Sequence, residues 1–62
     1  MPLVIVKMLE GRSTEQKRRL AKDITEVVMK YTGVSEDQVD VIFEDYPHEN
    51  WAKAGVLFCD RE

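Results

Sequence analysis

Apolar residues open the chain almost without interruption. Leu3-Val4-Ile5-Val6 is largely β-branched, with Val4 and Val6 pointing one way and Leu3 and Ile5 the other. Such a run reads as a strand covered on both faces, not one half-exposed to water. Met8-Leu9-Glu10-Gly11-Arg12 reads as the loop leaving it, with Gly11 permitting the turn. The period then changes. Ser13-Thr14-Glu15-Gln16 is a capping box, Ser13 placed to accept from the amide of Gln16 and Gln16 to reach back. Leu20, Ile24, Val27, Val28 and Tyr31 recur at helical spacing opposite a charged face of Lys17, Arg18, Lys22, Glu26 and Lys30. A helix is therefore predicted to about Tyr31, with Gly33 as its stop. Ser35-Glu36-Asp37-Gln38 predicts one more short helical turn. Val39 to Tyr46 is the second strand, where Val39, Val41 and Phe43 alternate with Asp40, Ile42 and Glu44. Pro47-His48-Glu49-Asn50 reads as a turn, and Trp51 to Phe58 as a short hairpin with a glycine bend.

A strand, a helix of crossover length and a second strand make a right-handed, parallel βαβ unit. The predicted class is α/β (α+β), one βαβ unit with a short C-terminal hairpin, forming a single domain over residues 1–62. Its stability is the difficulty. A chain of 62 residues buries only about 60% of its unfolded surface, and a two-stranded sheet does not stand alone. Cys59 is the one cysteine, so no disulfide is available, and a single His48 makes no metal cluster with it. One helix covers one face of the sheet. The other face is expected to meet another copy or subunit, and edge-to-edge pairing of two units would give a four-stranded sheet with both helices on one side.

Composition narrows the partners. A net charge of −3 argues against nucleic acid. No apolar run approaches the ~20 residues of a membrane span, and no signal peptide is visible. A lone free thiol fits a reducing compartment, so a cytoplasmic protein is expected.

The chemistry centres on Pro2. A proline at a strand start has a structural explanation, because it has no amide proton for the ladder. It also has a chemical one. Once Met1 is removed, Pro2 carries a free secondary amine fixed at the end of a sheet. An α-amino group ordinarily titrates near ~7.7–8. Apolar surroundings would favour the neutral, basic form that proton abstraction beside a carbonyl requires. Arg12 beside a helix start reads by itself as a solvated charge, and Trp51 as a core or interface anchor. His48 in its polar turn, Cys59, and the basic residues Lys17, Arg18 and Arg19 on the polar helix face are given no role. Asp40 and Glu44 share a strand face, which reads as solvated or ion-paired carboxylates before it reads as an acid–base pair.

These features together resemble the 4-oxalocrotonate tautomerase family. The matching stretches are Met1-Pro2 opening the first strand, Leu9-Glu10-Gly11-Arg12-Ser13 leaving it, and Glu15-Gln16-Lys17 in the first helical turn. Val39 to Glu44 and Trp51 to Gly55 match further on, so the resemblance spans essentially the whole chain. It implies a tautomerase/MIF-like fold and a homohexamer built as a trimer of dimers, or a heterohexamer of two related chains. It implies a cofactor-free reaction in which Pro2 is the general base, catalysing keto–enol or allylic proton transfer on an enol or 2-oxo acid. Arg12 would bind a substrate carboxylate from a neighbouring subunit, and Trp51 stands where the family has a phenylalanine that keeps the pocket apolar. One position departs: the family's second-strand arginine falls at Asp40, which reverses the local charge toward an anionic substrate. Lys53 stands where related dehalogenases place a glutamate, so hydrolytic dehalogenation is not expected, and Lys53 or Arg61 is the candidate replacement cation. The alternatives left open are a non-catalytic subunit that lends Arg12 to a neighbour's site, a weakly promiscuous member, and an enzyme of decarboxylation or hydration.

Overall fold

The helix begins where its cap dictates. In the computed structural model, which describes residues 1–61, the Ser13 hydroxyl accepts from the Gln16 amide at 3.1 Å and the Gln16 side chain accepts from the Ser13 amide at 2.9 Å. Helix α1 (Thr14–Thr32) ends at Gly33, whose φ of 77° closes the last turn as its N–H donates to the Met29 carbonyl. Strand β1 (Leu3–Leu9) precedes it and β2 (Asp40–Tyr46) follows, separated from α1 by a 3₁₀ turn at Glu36–Gln38. A second 3₁₀ turn, His48–Asn50, leads into β3 (Ala52–Lys53) and β4 (Val56–Leu57), and a third, Phe58–Asp60, follows them. β1 and β2 are parallel, in register from Leu3 opposite Asp40 to Leu9 opposite Tyr46. β3 and β4 form a separate antiparallel pair. The α+β architecture, one βαβ unit and a C-terminal hairpin, is the one expected.

Three local expectations need correction. β1 does not stop at Val6 but runs through Leu9, so Met8 and Leu9 are strand and not loop. Pairing across the ladder sustains it: Lys7 stands opposite Glu44, their charges 3.8 Å apart, and the Glu10 amide donates to the Tyr46 carbonyl at 2.8 Å. β2 starts at Asp40, because the Val39 amide is used by the Glu36 carbonyl in closing the 3₁₀ turn. The helix stripe is also rotated. Lys17, Ala21, Ile24, Thr25, Val28 and Met29 are the half-buried positions, while Leu20, Val27 (55% exposed) and Tyr31 (76%) face outward. Two strands span only about 5 Å between axes and a helix about 10 Å across, so much of the apolar stripe has no sheet beneath it. Lys17, read as part of the charged face, instead turns inward and forms an ion pair with Asp45.

The hairpin bends through Ala54 and Gly55, with φ values of 54° and 80°, the two positive angles of a type I′ turn that matches strand twist. Away from α1, the sheet is bare: Ile5 (47% exposed) and Ile42 (45%) share one rung and Leu3 (54%) stands two rungs away on the same face, with nothing over them. Among the described residues none is fully buried. The radius of gyration is 14.7 Å, against about 11 Å for a self-contained domain of this length. A fold this open has its hydrophobic surface prepared for other chains.

Candidate active site

Pro2 stands just outside β1, where its lack of an amide costs the ladder nothing, and its carbonyl accepts the Asp40 N–H at 3.0 Å. That bond fixes the position of the ring at the end of the sheet. Pro2 is half-buried and Met1 projects into solvent. The segment that leads into β2 at this end is acidic. Glu36 and Asp37 in the 3₁₀ turn and Asp40 at the first rung are exposed, and none takes part in an ion pair among the described residues. Ser35 donates its hydroxyl to Asp37 at 2.6 Å. From Tyr31 to Ala52 the sequence contains no lysine or arginine.

Arg12 lies at the opposite end. It follows Gly11, whose φ of 124° lets the chain leave β1 toward α1, and it is exposed. The rise of ~3.3 Å per strand residue puts the two ends of the ladder about 20 Å apart. Trp51 also lies beyond the far end, after β2 and its 3₁₀ turn, half-buried between two rings. Tyr46 meets it edge-on with centroids 6.0 Å apart, and Phe58 lies at 6.3 Å. Lys53 is exposed on β3. The Arg61 guanidinium donates to the Lys53 carbonyl and stands over the Phe58 ring at 5.4 Å, so it ties the hairpin down. The chain thus gathers Trp51, Lys53 and Arg61 in one arm and sets Arg12 at the same end of the ladder. Pro2 is not brought to them. The recesses flanking α1, lined by Ala21, Thr25 and Met29 on one side and Val4, Ile24 and Val27 on the other, contain none of Pro2, Arg12 or Trp51.

The sequence reading did not single out Tyr46. Its hydroxyl donates to Glu44 at 2.8 Å, and Glu44 also faces Lys7. The hydrogen bond to Glu44 first, then desolvation, hold the phenol above its ordinary pKa, so it stays a neutral donor while bracing Trp51. The signal was an aromatic at the strand end shortly before a tryptophan. Cys59, with no assigned role, has its thiol raised by desolvation and by neighbouring Asp60, which keeps it protonated.

The sequence model for "Tautomerase enzyme" matches residues 2–61. The chain is 47% identical over 62 residues to 2-hydroxymuconate tautomerase of Bacillus subtilis strain 168, covering all of both chains. The crystal structure of YwhB, a homologue of 4-oxalocrotonate tautomerase, superposes with a TM-score of 0.93 at 46% identity, covering 98% of this chain and 100% of that one. A heterohexamer 4-oxalocrotonate tautomerase from Chloroflexus aurantiacus J-10-fl superposes at 0.93 with 32% identity, over 100% of both chains. Shared along its whole length in both sequence and backbone, this is a pattern with one reading: the chain belongs to the tautomerase family.

Proposed function

We propose that this tautomerase, an isomerase by its family, uses the Pro2 amine, uncovered by loss of Met1, as the general base on an enol or 2-oxo acid. The observation that carries the reading is the Pro2 carbonyl held by the Asp40 amide, which fixes an N-terminal ring at the rim of a family-typical sheet. The free amine takes the proton from the enol oxygen as the C=O bond forms, and the resulting ammonium returns a proton to the substrate carbon. Nothing is gained or lost overall, so the step is an isomerisation. Arg12 of a second copy holds the substrate carboxylate through paired charge-assisted hydrogen bonds. Trp51, fixed by Tyr46 and Phe58, excludes water from that end of the substrate.

The separation of Pro2 from Arg12 supports a site completed between copies. The bare Leu3, Ile5 and Ile42 face and the apolar groove of Val4, Ile24, Val27 and Val28 beside the free edge of β1 are the surfaces that assembly would cover. A homohexamer built as a trimer of dimers fits them. A heterohexamer with a related chain is the variant suggested by the Chloroflexus neighbour. Asp40 favours a second reading, a non-catalytic subunit of such a heterohexamer, because it sets a carboxylate beside Pro2. Purification of the chain alone separates the two. Mass spectrometry establishes loss of Met1, and ketonisation of phenylenolpyruvate by that material supports the enzyme. A Met1-free assembly whose rate is the same after Pro2→Ala would leave only the subunit role.

A further inference from the structure

We infer that Asp40 sets the charge selectivity of the Pro2 end, so that the site prefers an enol or 2-oxo acid with one carboxylate over a dicarboxylate. The inference rests on the proposed role of Pro2 and deepens it. Two features of the structure carry it. The first is position: the Asp40 amide bonds the Pro2 carbonyl at 3.0 Å and Asp40 occupies the first rung of β2, opposite Leu3. Neighbouring strands lie ~4.8 Å apart, which makes Asp40 an immediate cross-strand neighbour of the Pro2 end, and a charge is felt over a Debye length of ~8 Å. The second is that Asp40 has no ion-pair partner among the described residues, the nearby Lys22 lying instead in the recess that Glu36 and Asp37 line. Its neighbours Glu36 and Asp37 are acidic and exposed, and the nearest basic residues in sequence are Lys30 and Lys53.

A substrate spanning from Pro2 to a partner's Arg12 has one carboxylate at the guanidinium and its reacting carbon at the amine. A second carboxylate attached beyond that carbon would come to rest beside Asp40, where like charges repel. A neutral or apolar tail meets no such penalty. Asp40 therefore acts on the part of the substrate that does not react. The name of the Bacillus subtilis relative specifies a dicarboxylate substrate for that protein, and the Pro2 end of this chain is built against one.

The test compares a monocarboxylate and a dicarboxylate enol, phenylenolpyruvate and 2-hydroxymuconate, on the Met1-free assembly. The readout is the ratio of their kcat/KM values. Asp40→Asn is expected to reduce the preference for the monocarboxylate on the order of tenfold, and Asp40→Lys further. Asp40→Glu, which keeps the charge, should retain the preference. Added salt should erode it in the wild type and leave Asp40→Asn little changed. A ratio unaltered by Asp40→Asn overturns the inference, including the case in which a partner chain's cation already neutralises Asp40. If Pro2→Ala leaves the rates intact, it is the base assignment that fails. Binding of phenylpyruvate and 2-oxoadipate, followed by NMR, then decides Asp40 by the same ratio: a change supports the inference and none overturns it.

Discussion

At one end of the β1–β2 ladder the chain offers Pro2, tied to Asp40 at the close of the acidic Glu36–Asp40 segment, and at the other a guanidinium on a glycine-turned loop and an aromatic arm. The first end is negative and rigid, pinned by ladder hydrogen bonds and a 3₁₀ turn. The second projects and mixes its charges, with Arg12, Lys53 and Arg61 set among Glu10, Glu49 and Asp60 around the Trp51 cluster. If Pro2 is the base and Arg12 the anion ligand, as proposed, the seven-residue strand that holds them about 20 Å apart keeps one chain from bringing both to the same small molecule. On the proposed function, that separation places the working site at a junction of chains, where the Pro2 end of one copy meets the Arg12 end of another.

Blocking the junction is the most severe way to break this comparison. Ile5→Lys places a charge on the bare sheet face without touching either end, and it is expected to abolish assembly and with it essentially all activity. Sedimentation velocity reads the first loss and an enol ketonisation assay the second. A fully active monomer would refute the shared site. Next in size is Pro2→Ala, or retention of Met1, which turns the nitrogen into an amide. Either is expected to reduce kcat by about 10²–10⁴-fold with the assembly intact.

Arg12→Ala follows, with a rise in KM of about 10- to 100-fold from the loss of a charge-assisted pair. Its more incisive use is in combination. If the two ends of one site come from different chains, mixing Pro2→Ala and Arg12→Ala subunits and allowing them to exchange should restore about a quarter of the sites. If Pro2 and Arg12 of one chain served the same site, the mixture would stay as impaired as its components. The assay after denaturation and joint refolding decides between these outcomes.

The sequence made the framework legible because it is local. The Ser13–Gln16 box, the Gly33 stop and the alternation of Val41 and Phe43 each act within a few residues, and each appears in the structure where it was expected. The Met1-Pro2 and Glu10-Gly11-Arg12-Ser13 stretches identified the family for the same reason. What escaped depends on partners distant along the chain. β1 outlasts its apolar run because Lys7 finds Glu44 across the ladder, thirty-seven positions later. Lys17 turns inward because Asp45 waits beneath it. Leu20, Val27 and Tyr31 read as core from their periodicity yet face outward in the single chain, since an apolar pattern records everything a residue packs against, other copies included. For the candidate site, the resemblance already implied an Arg12 contributed by a neighbouring subunit, but residue spacing gave no measure of how far Arg12 and Trp51 stand from Pro2 within one chain.

The finest test lies at the aromatic end and leaves the acidic end as its control. The Tyr46 hydroxyl donates to Glu44, and this bond, followed by desolvation and the Glu44 charge, raises the phenol above 10.0, while Lys7 pulls weakly the other way. A raised value in the folded state means the protonated phenol is the favoured form there. Its contribution is therefore complete below the unfolded value of about 10 and disappears as pH climbs through the higher folded value. In a Tyr31→Phe background, the ultraviolet absorbance of Tyr46 should titrate above 10.0, and Glu44→Gln should bring the midpoint down toward it. Because Tyr46 stands edge-on to Trp51, tryptophan fluorescence should change over the same pH interval. NMR shifts of Pro2 and Asp40 should hold steady across it. Movement of both ends together would mean that the ladder transmits what happens at Tyr46, and the two ends would then have to be treated as one coupled site.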